Sequence, residues 1–144
     1  MTEIKRKKRE GHGGIGMPEA LWLEEFGFQV YCAFGEYPYQ VGSTLFKKHG
    51  WKDVDVRLIL SDEDYEKMGF GKPNEEEHMN AKWCALVEAF SALGRKMTGL
   101  PIDFQIQQQT NANKLFHDSR SALGVQAYYK YKNLVSPQQE KEER

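Results

Sequence analysis

Apolar and polar positions recur with two different periods along this chain, and the switches between them mark its elements. Between Pro18 and about Phe34 apolar residues fall on several sides (Leu21, Trp22, Leu23, Phe26, Val30, Tyr31), which predicts a largely buried helix opened by proline. Gly35 and Pro38 break it, and a short extended piece near Tyr39–Val41 runs into Gly42-Ser43. Asp53 to Leu60, rich in β-branched and aliphatic residues, predicts a strand. Ser61-Asp62-Glu63-Asp64 then has the form of a helix cap with an acidic first turn. From Asn74 to about Met97 the period is helical again, with Met79, Trp83, Leu86, Val87, Phe90 and Leu93 on the apolar side. Glu75, Glu76 and Glu77 fall in the first turn of that helix, where the dipole favours them. Gly99 and Pro101 end it, and Ile102 to Gln107 alternates as a half-buried strand. A short helix from Asn111 to about Phe116 and a strand near Val125 to Tyr131 complete the pattern. Helices alternating with a few strands indicate an α/β (α+β) domain with a small sheet.

The two ends lack this patterning. Residues 1–17 carry Lys5-Arg6-Lys7-Lys8-Arg9 and then Gly11, Gly13, Gly14 and Gly16. Like charges repel and glycine is costly to order, so a tail is expected, either merely solvated or a basic arm that touches RNA or DNA. Residues 136–144 hold no apolar side chain and predict a second tail. Residues 18–135 are left as one domain.

Composition narrows the class. Charged residues are 28% of the 144, as in a soluble protein, and the formal net charge of -1 gives no global basic field. No apolar run follows the N-terminal charges and none approaches the roughly 20 residues of a membrane span, so no membrane association and a cytoplasmic setting are expected. Cys32 and Cys84, without CxxC spacing, read as buried free thiols. The four histidines lack metal-ligand spacing and are expected in surface or structural roles.

The chemistry lies in the acids on the predicted strands. Asp53 and Asp55 flank Val54, and on a strand residues i and i+2 share a face. Two such close carboxylates repel, and a divalent cation is the usual compensation. Asp103 repeats the pattern: it and Gln105 point one way, while Ile102, Phe104 and Ile106 point the other. If the two strands are neighbours, three carboxylates converge, a donor set that suits Mg2+ or Mn2+. Two ions roughly 3.5–4 Å apart can stabilise both oxygens of an in-line displacement. Alternation puts Arg57 on the same face, where it either contacts a phosphate or pairs with an acid. Gly42 and Ser43 upstream offer backbone N–H groups and a hydroxyl to phosphate oxygens.

Val41-Gly42-Ser43, nine residues, then Asp53-Val54-Asp55-Val56 resembles the signature of the nucleotidyltransferase superfamily related to DNA polymerase β. Ile102-Asp103-Phe104 resembles that family's third acidic strand, and the order of elements from about Pro18 to Gln107 also matches. The resemblance implies a small mixed sheet flanked by helices in an αβαβαβ core, like the minimal stand-alone members of bacteria and their phages. It implies a site for ATP or another nucleoside triphosphate, held by Gly42 and Ser43. Asp53 and Asp55 would bind two Mg2+ or Mn2+ ions, and Asp103 would bind the catalytic ion and help to deprotonate the acceptor hydroxyl. The reaction implied is transfer of a nucleoside monophosphate to RNA, a protein or a small molecule, with release of pyrophosphate. The basic arm tilts the acceptor towards RNA.

The chain departs from the signature in places. Many relatives carry arginine two or three residues beyond the serine, where Thr44, Leu45 and Phe46 stand here, and the nearest cations are Lys47 and Lys48. No second helical domain follows, so base and acceptor contacts are expected from the last forty or so residues, a partner or a second subunit. Asn111, Asn113, Arg120 and Ser121 follow the third acidic strand closely enough to reach substrate, with Arg120 the preferred extra triphosphate contact. Tyr37, Tyr39 and Trp51 either pack in the core or stack on a base.

Overall fold

The computed structural model describes residues 12–70, 79–115 and 119–127. Its elements run α1 (Glu19–Phe34), β1 (Tyr39–Val41), a 3₁₀ turn (Ser43–Leu45), β2 (Val54–Leu60), α2 (Asp62–Lys67), α3 (Ala81–Thr98), β3 (Ile102–Gln108), α4 (Gln109–Leu115) and β4 (Ser121–Ala122). The strands form one mixed sheet in the order β3-β2-β1-β4, with β2 and β3 parallel and β1 antiparallel to both β2 and β4. The expected α/β class and small sheet are therefore present.

Paired residues share a face, so the register divides the sheet. Val54, Val56 and Leu58 stand beside Ile102, Phe104 and Ile106 and face the core. Leu23, Phe26 and Val30 of α1 and Trp83 and Val87 of α3 complete it. Burying each such large apolar side chain contributes about 1.5–3 kcal/mol. Gly94 lets α3 come close: a β-carbon there would lie 2.9 Å from Ile102 and 3.0 Å from Phe26. Alpha3 also closes the sheet's β3 edge. Ser91 Oγ accepts from Phe104 N–H at 3.0 Å, and Trp83 Nε1 donates to the Ile106 carbonyl at 2.9 Å. Edge groups that invite another strand are thereby occupied.

Several expectations change. The long helix starts at Ala81, not Asn74, because Asn80 caps it by accepting from Trp83 N–H. Glu75, Glu76 and Glu77 are thus not in its first turn and lie outside the described residues. Of the strand expected near Val125 to Tyr131, the described residues 125–127 are helical, and a pairing with β1 falls earlier, at Ser121 and Ala122. Leu123 N–H donates to the Pro38 carbonyl and Gly124 then turns the chain, which ends the pairing after two residues. Residues 128–131 lie outside the described residues. Alpha1 is less buried than its composition implies, with Leu21 and Trp22 about half exposed, and Cys32 is exposed as well. Its buried side follows positions 20, 23, 24, 26–28, 30 and 31, which leaves 21, 22 and 32 outward. Cys84 is half-buried against the core.

The N-terminal approach is partly folded. Residues 12–17 lie across the 3₁₀ turn, with Gly14 N–H donating to the Thr44 carbonyl and Ile15 buried. The rest of the N-terminal tail and all of residues 136–144 lie outside the described residues. Among the described residues no helix is long and apolar enough to cross a membrane.

Candidate active site

The parallel pairing of β2 with β3 sets Asp55 directly beside Asp103 on the sheet face opposite the core. Arg57 and Gln105 form the next pair on that face, and β1 adds Val41 beside Asp55 and Tyr39 beside Arg57. The acids meet because each follows the apolar residue that anchors its strand, Val54 and Ile102, at matched positions.

Arg57 ties the two carboxylates together. Its Nη2 lies 3.4 Å from Asp55 Oδ1 and 3.3 Å from Asp103 Oδ2, while Nη1 donates to the Asp103 carbonyl at 2.6 Å and to the Val56 carbonyl at 3.2 Å. The arginine side chain is 6% exposed, against 27% for Asp55 and 37% for Asp103. Arg57 thus pairs with both acids, one of the two roles open to it. Gln105 Nε2 reaches Asp103 Oδ1 at 3.4 Å. Burial raises the Asp55 carboxyl above its usual range, the Arg57 charge draws it back, and Asp103 and Asp53 add to the rise. The site thus holds negative charge under partial compensation.

Gly42 shapes the approach to this pair. Its φ of 79° and ψ of -160° belong to a region reserved almost wholly for glycine. A β-carbon on Gly42 would lie 2.5 Å from Asp55 Oδ2. The bare backbone therefore passes directly against the carboxylate. Ser43 opens the 3₁₀ turn, whose first internal bond is Leu45 N–H to the Gly42 carbonyl. The amides of Ser43 and Thr44 precede that bond and have no acceptor within the turn. Buried Gln40 braces it, its Nε2 donating to Thr44 Oγ1 and to the His12 carbonyl, each at 3.0 Å. Sequence reasoning passed over Gln40, although a lone amide between Tyr39 and Val41 in an extended run was a signal.

The remaining predicted residues are placed differently. Asp53 is exposed and immediately precedes β2, close enough for its charge to be felt at Asp55. Lys47 and Lys48 follow the turn and are exposed. Arg120 donates to Asn113 Oδ1 at 2.9 Å, which links the approach to β4 with α4. Tyr37 stacks on Tyr31 with ring centroids 4.1 Å apart, as a packing residue.

Asp55 and Asp103 offer hard oxygen donors of the type that magnesium and manganese prefer. Among the described residues no three His, Cys, Asp or Glu side chains are gathered as a metal-holding group. The fit is therefore of donor type and placement, with Arg57 as the cation now between the carboxylates. No protein-family model, no curated protein and no solved structure matches this chain.

Proposed function

We propose that the chain is a metal-dependent nucleotidyltransferase. The reading is carried by one observation: Asp55 and Asp103 adjoin in register on an acidic sheet face, and the Gly42 backbone passes directly against Asp55. Gly42 and Ser43 would hold the phosphates through the amides at the start of the turn. Asp53, Asp55 and Asp103 would hold two Mg2+ or Mn2+ ions, which when bound would neutralise charge on the phosphates and on the departing pyrophosphate. In the transfer, the acceptor oxygen bonds to the α-phosphorus and the bond to the bridging pyrophosphate oxygen breaks. Asp103 takes the acceptor's proton. Lys47 and Lys48 are the exposed cations next to the turn, and the basic arm makes RNA our preferred acceptor.

Pyrophosphate release from nucleoside triphosphates with Mn2+ or Mg2+, measured over RNA, protein and small-molecule acceptors, tests this. Asp55→Ala and Asp103→Ala should abolish the release; full turnover in either variant removes the assignment. A second reading is a catalytically inactive nucleotide- and metal-binding module of the same fold. The buried Arg57 between the acids favours it, because a fixed cation already compensates them. Calorimetric binding of triphosphate with no pyrophosphate from any acceptor supports that reading instead.

A further inference from the structure

A cavity of about 340 Å³ lies between the start of α1 and the end of α3. Its wall includes Trp22 and Glu19 of α1, Trp51 from the segment before β2, Leu100 beyond α3, and Ile15 from the folded N-terminal approach. Thr98 and Gly99 bring the last turn of α3 to the same wall. Carbonyls in a helix's last turn lack amide partners in the helix and carry its partial negative charge. Among the described residues no lysine, arginine or histidine lines the cavity. Arg95 and Lys96 of that last turn are exposed and form no part of it.

We propose that this cavity binds a small organic cation, an ammonium carried on a compact apolar body. Two indoles, Trp22 and Trp51, line the wall, and an indole face attracts such a cation. Glu19 supplies a full negative charge and the end of α3 a partial one, while Leu100 and Ile15 take the apolar body. An anion would meet Glu19 unfavourably. A neutral apolar ligand would cover the carboxylate and return nothing for it. A bare metal ion would find a single carboxylate among the described side chains of the wall, too few donors for a hard cation.

The cavity is distinct from the acidic face. It shares no residue with Gly42, Asp55, Arg57 or Asp103, although Trp51 lies two positions before Asp53 and Leu100 three before Asp103. Val54 N–H donates to the Pro101 carbonyl at 3.0 Å, so the segments carrying Trp51 and Leu100 meet at the end of the sheet where the acids begin.

Choline and its neutral carbon isostere, dimethylbutanol, separate charge from shape. Each is titrated into the full chain at constant ionic strength while tryptophan fluorescence is followed. Saturable change with choline is expected, with the isostere weaker by about tenfold. Trp22→Leu should abolish the change and Glu19→Gln should weaken binding severalfold. Trp22 is 44% exposed and Glu19 only partly buried, so both variants keep the fold, which circular dichroism checks. Equal binding of the two probes, no saturable change, or an undiminished response in Glu19→Gln overturns the proposal. The titration contains neither divalent ion nor triphosphate, so its result is independent of whether nucleotide transfer occurs.

Discussion

An added β-carbon on Gly42 would stand 2.5 Å from Oδ2 of Asp55, so the glycine backbone and the carboxylate fill one space between them. Gly42→Ala must therefore move the acid as well as strain its own backbone at φ 79°. The backbone part alone costs about 1–3 kcal/mol. Thermal denaturation should show that loss, and pyrophosphate release should fall with it. The contact itself is read from a double-mutant cycle: with Asp55→Ala the collision is gone, and the two stability losses should fall short of additivity by at least about 0.5 kcal/mol. Strict additivity would show that the two residues do not compete for space.

Arg57 is held by Asp55, by Asp103 and by two carbonyls, and it is almost wholly buried. Arg57→Met keeps much of the volume and leaves both carboxylates uncompensated. Breaking a fully buried pair costs about 3–5 kcal/mol; here about 2–3 kcal/mol is expected, because Asp103 is more than one-third exposed and screened. Divalent ions should restore part of the loss, so the variant's melting temperature should rise more with Mn2+ than the wild type's does. A rise with Mn2+ no larger in the variant than in the wild type argues against a cation site between these acids.

Periodicity was sufficient where burial was one-sided. Ile102, Phe104 and Ile106 face the core in alternation, and that alone located Asp103 on the outer face. The sheet neighbour of that strand could be only supposed, since parallel pairing depends on the whole α2–α3 crossover and not on local residues. Helix starts were harder to read. Asn80 begins α3 through a single side-chain bond, and the apolar pattern, with Met79 as an apparent member, ran past that boundary. The arginine role was undetermined for a similar reason: alternation gives the face of Arg57, while only the register gives its partners. The strand expected from Val125 rested on β-branched and aromatic composition, whereas the described residues 125–127 are helical, just beyond the backbone bond of Leu123 to Pro38.

Asp62 joins α2 to α4. The Thr110 hydroxyl and backbone N–H both donate to its carboxylate, and these two bonds lower its pKa, the hydroxyl more. A carboxyl depressed by folding stabilises above its unfolded pKa, and that contribution disappears as pH falls through the folded value. Acidification should therefore release the start of α4 before the sheet is affected. Thr110→Val removes the hydroxyl bond and should move the Asp62 midpoint back up, as followed by carboxyl NMR titration. An unmoved midpoint would mean that the backbone bond alone sets it.

Glu24 is a buried acid, 6% exposed, that bridges distant parts of the chain. Its Oε2 accepts from Gly124 N–H at 2.7 Å, and Oε1 lies 3.2 Å from His12 Nε2, a contact that is an ion pair when the imidazole is protonated. Glu24→Ala deprives the buried Gly124 N–H of its acceptor, at about 1–3 kcal/mol, and removes the side-chain contact that ties His12 of the N-terminal approach to α1. Glu24→Gln retains an amide oxygen for Gly124 and should lose less. Because the Gly14 amide is bonded to the Thr44 carbonyl, loosening that approach also loosens the turn that presents Gly42 and Ser43. Hydrogen exchange at Gly14 should therefore quicken in Glu24→Ala more than in Glu24→Gln, in step with any loss of pyrophosphate release. Equal exchange in the two variants would place the anchor in the charge of Glu24, acting on His12, and not in the bond to Gly124.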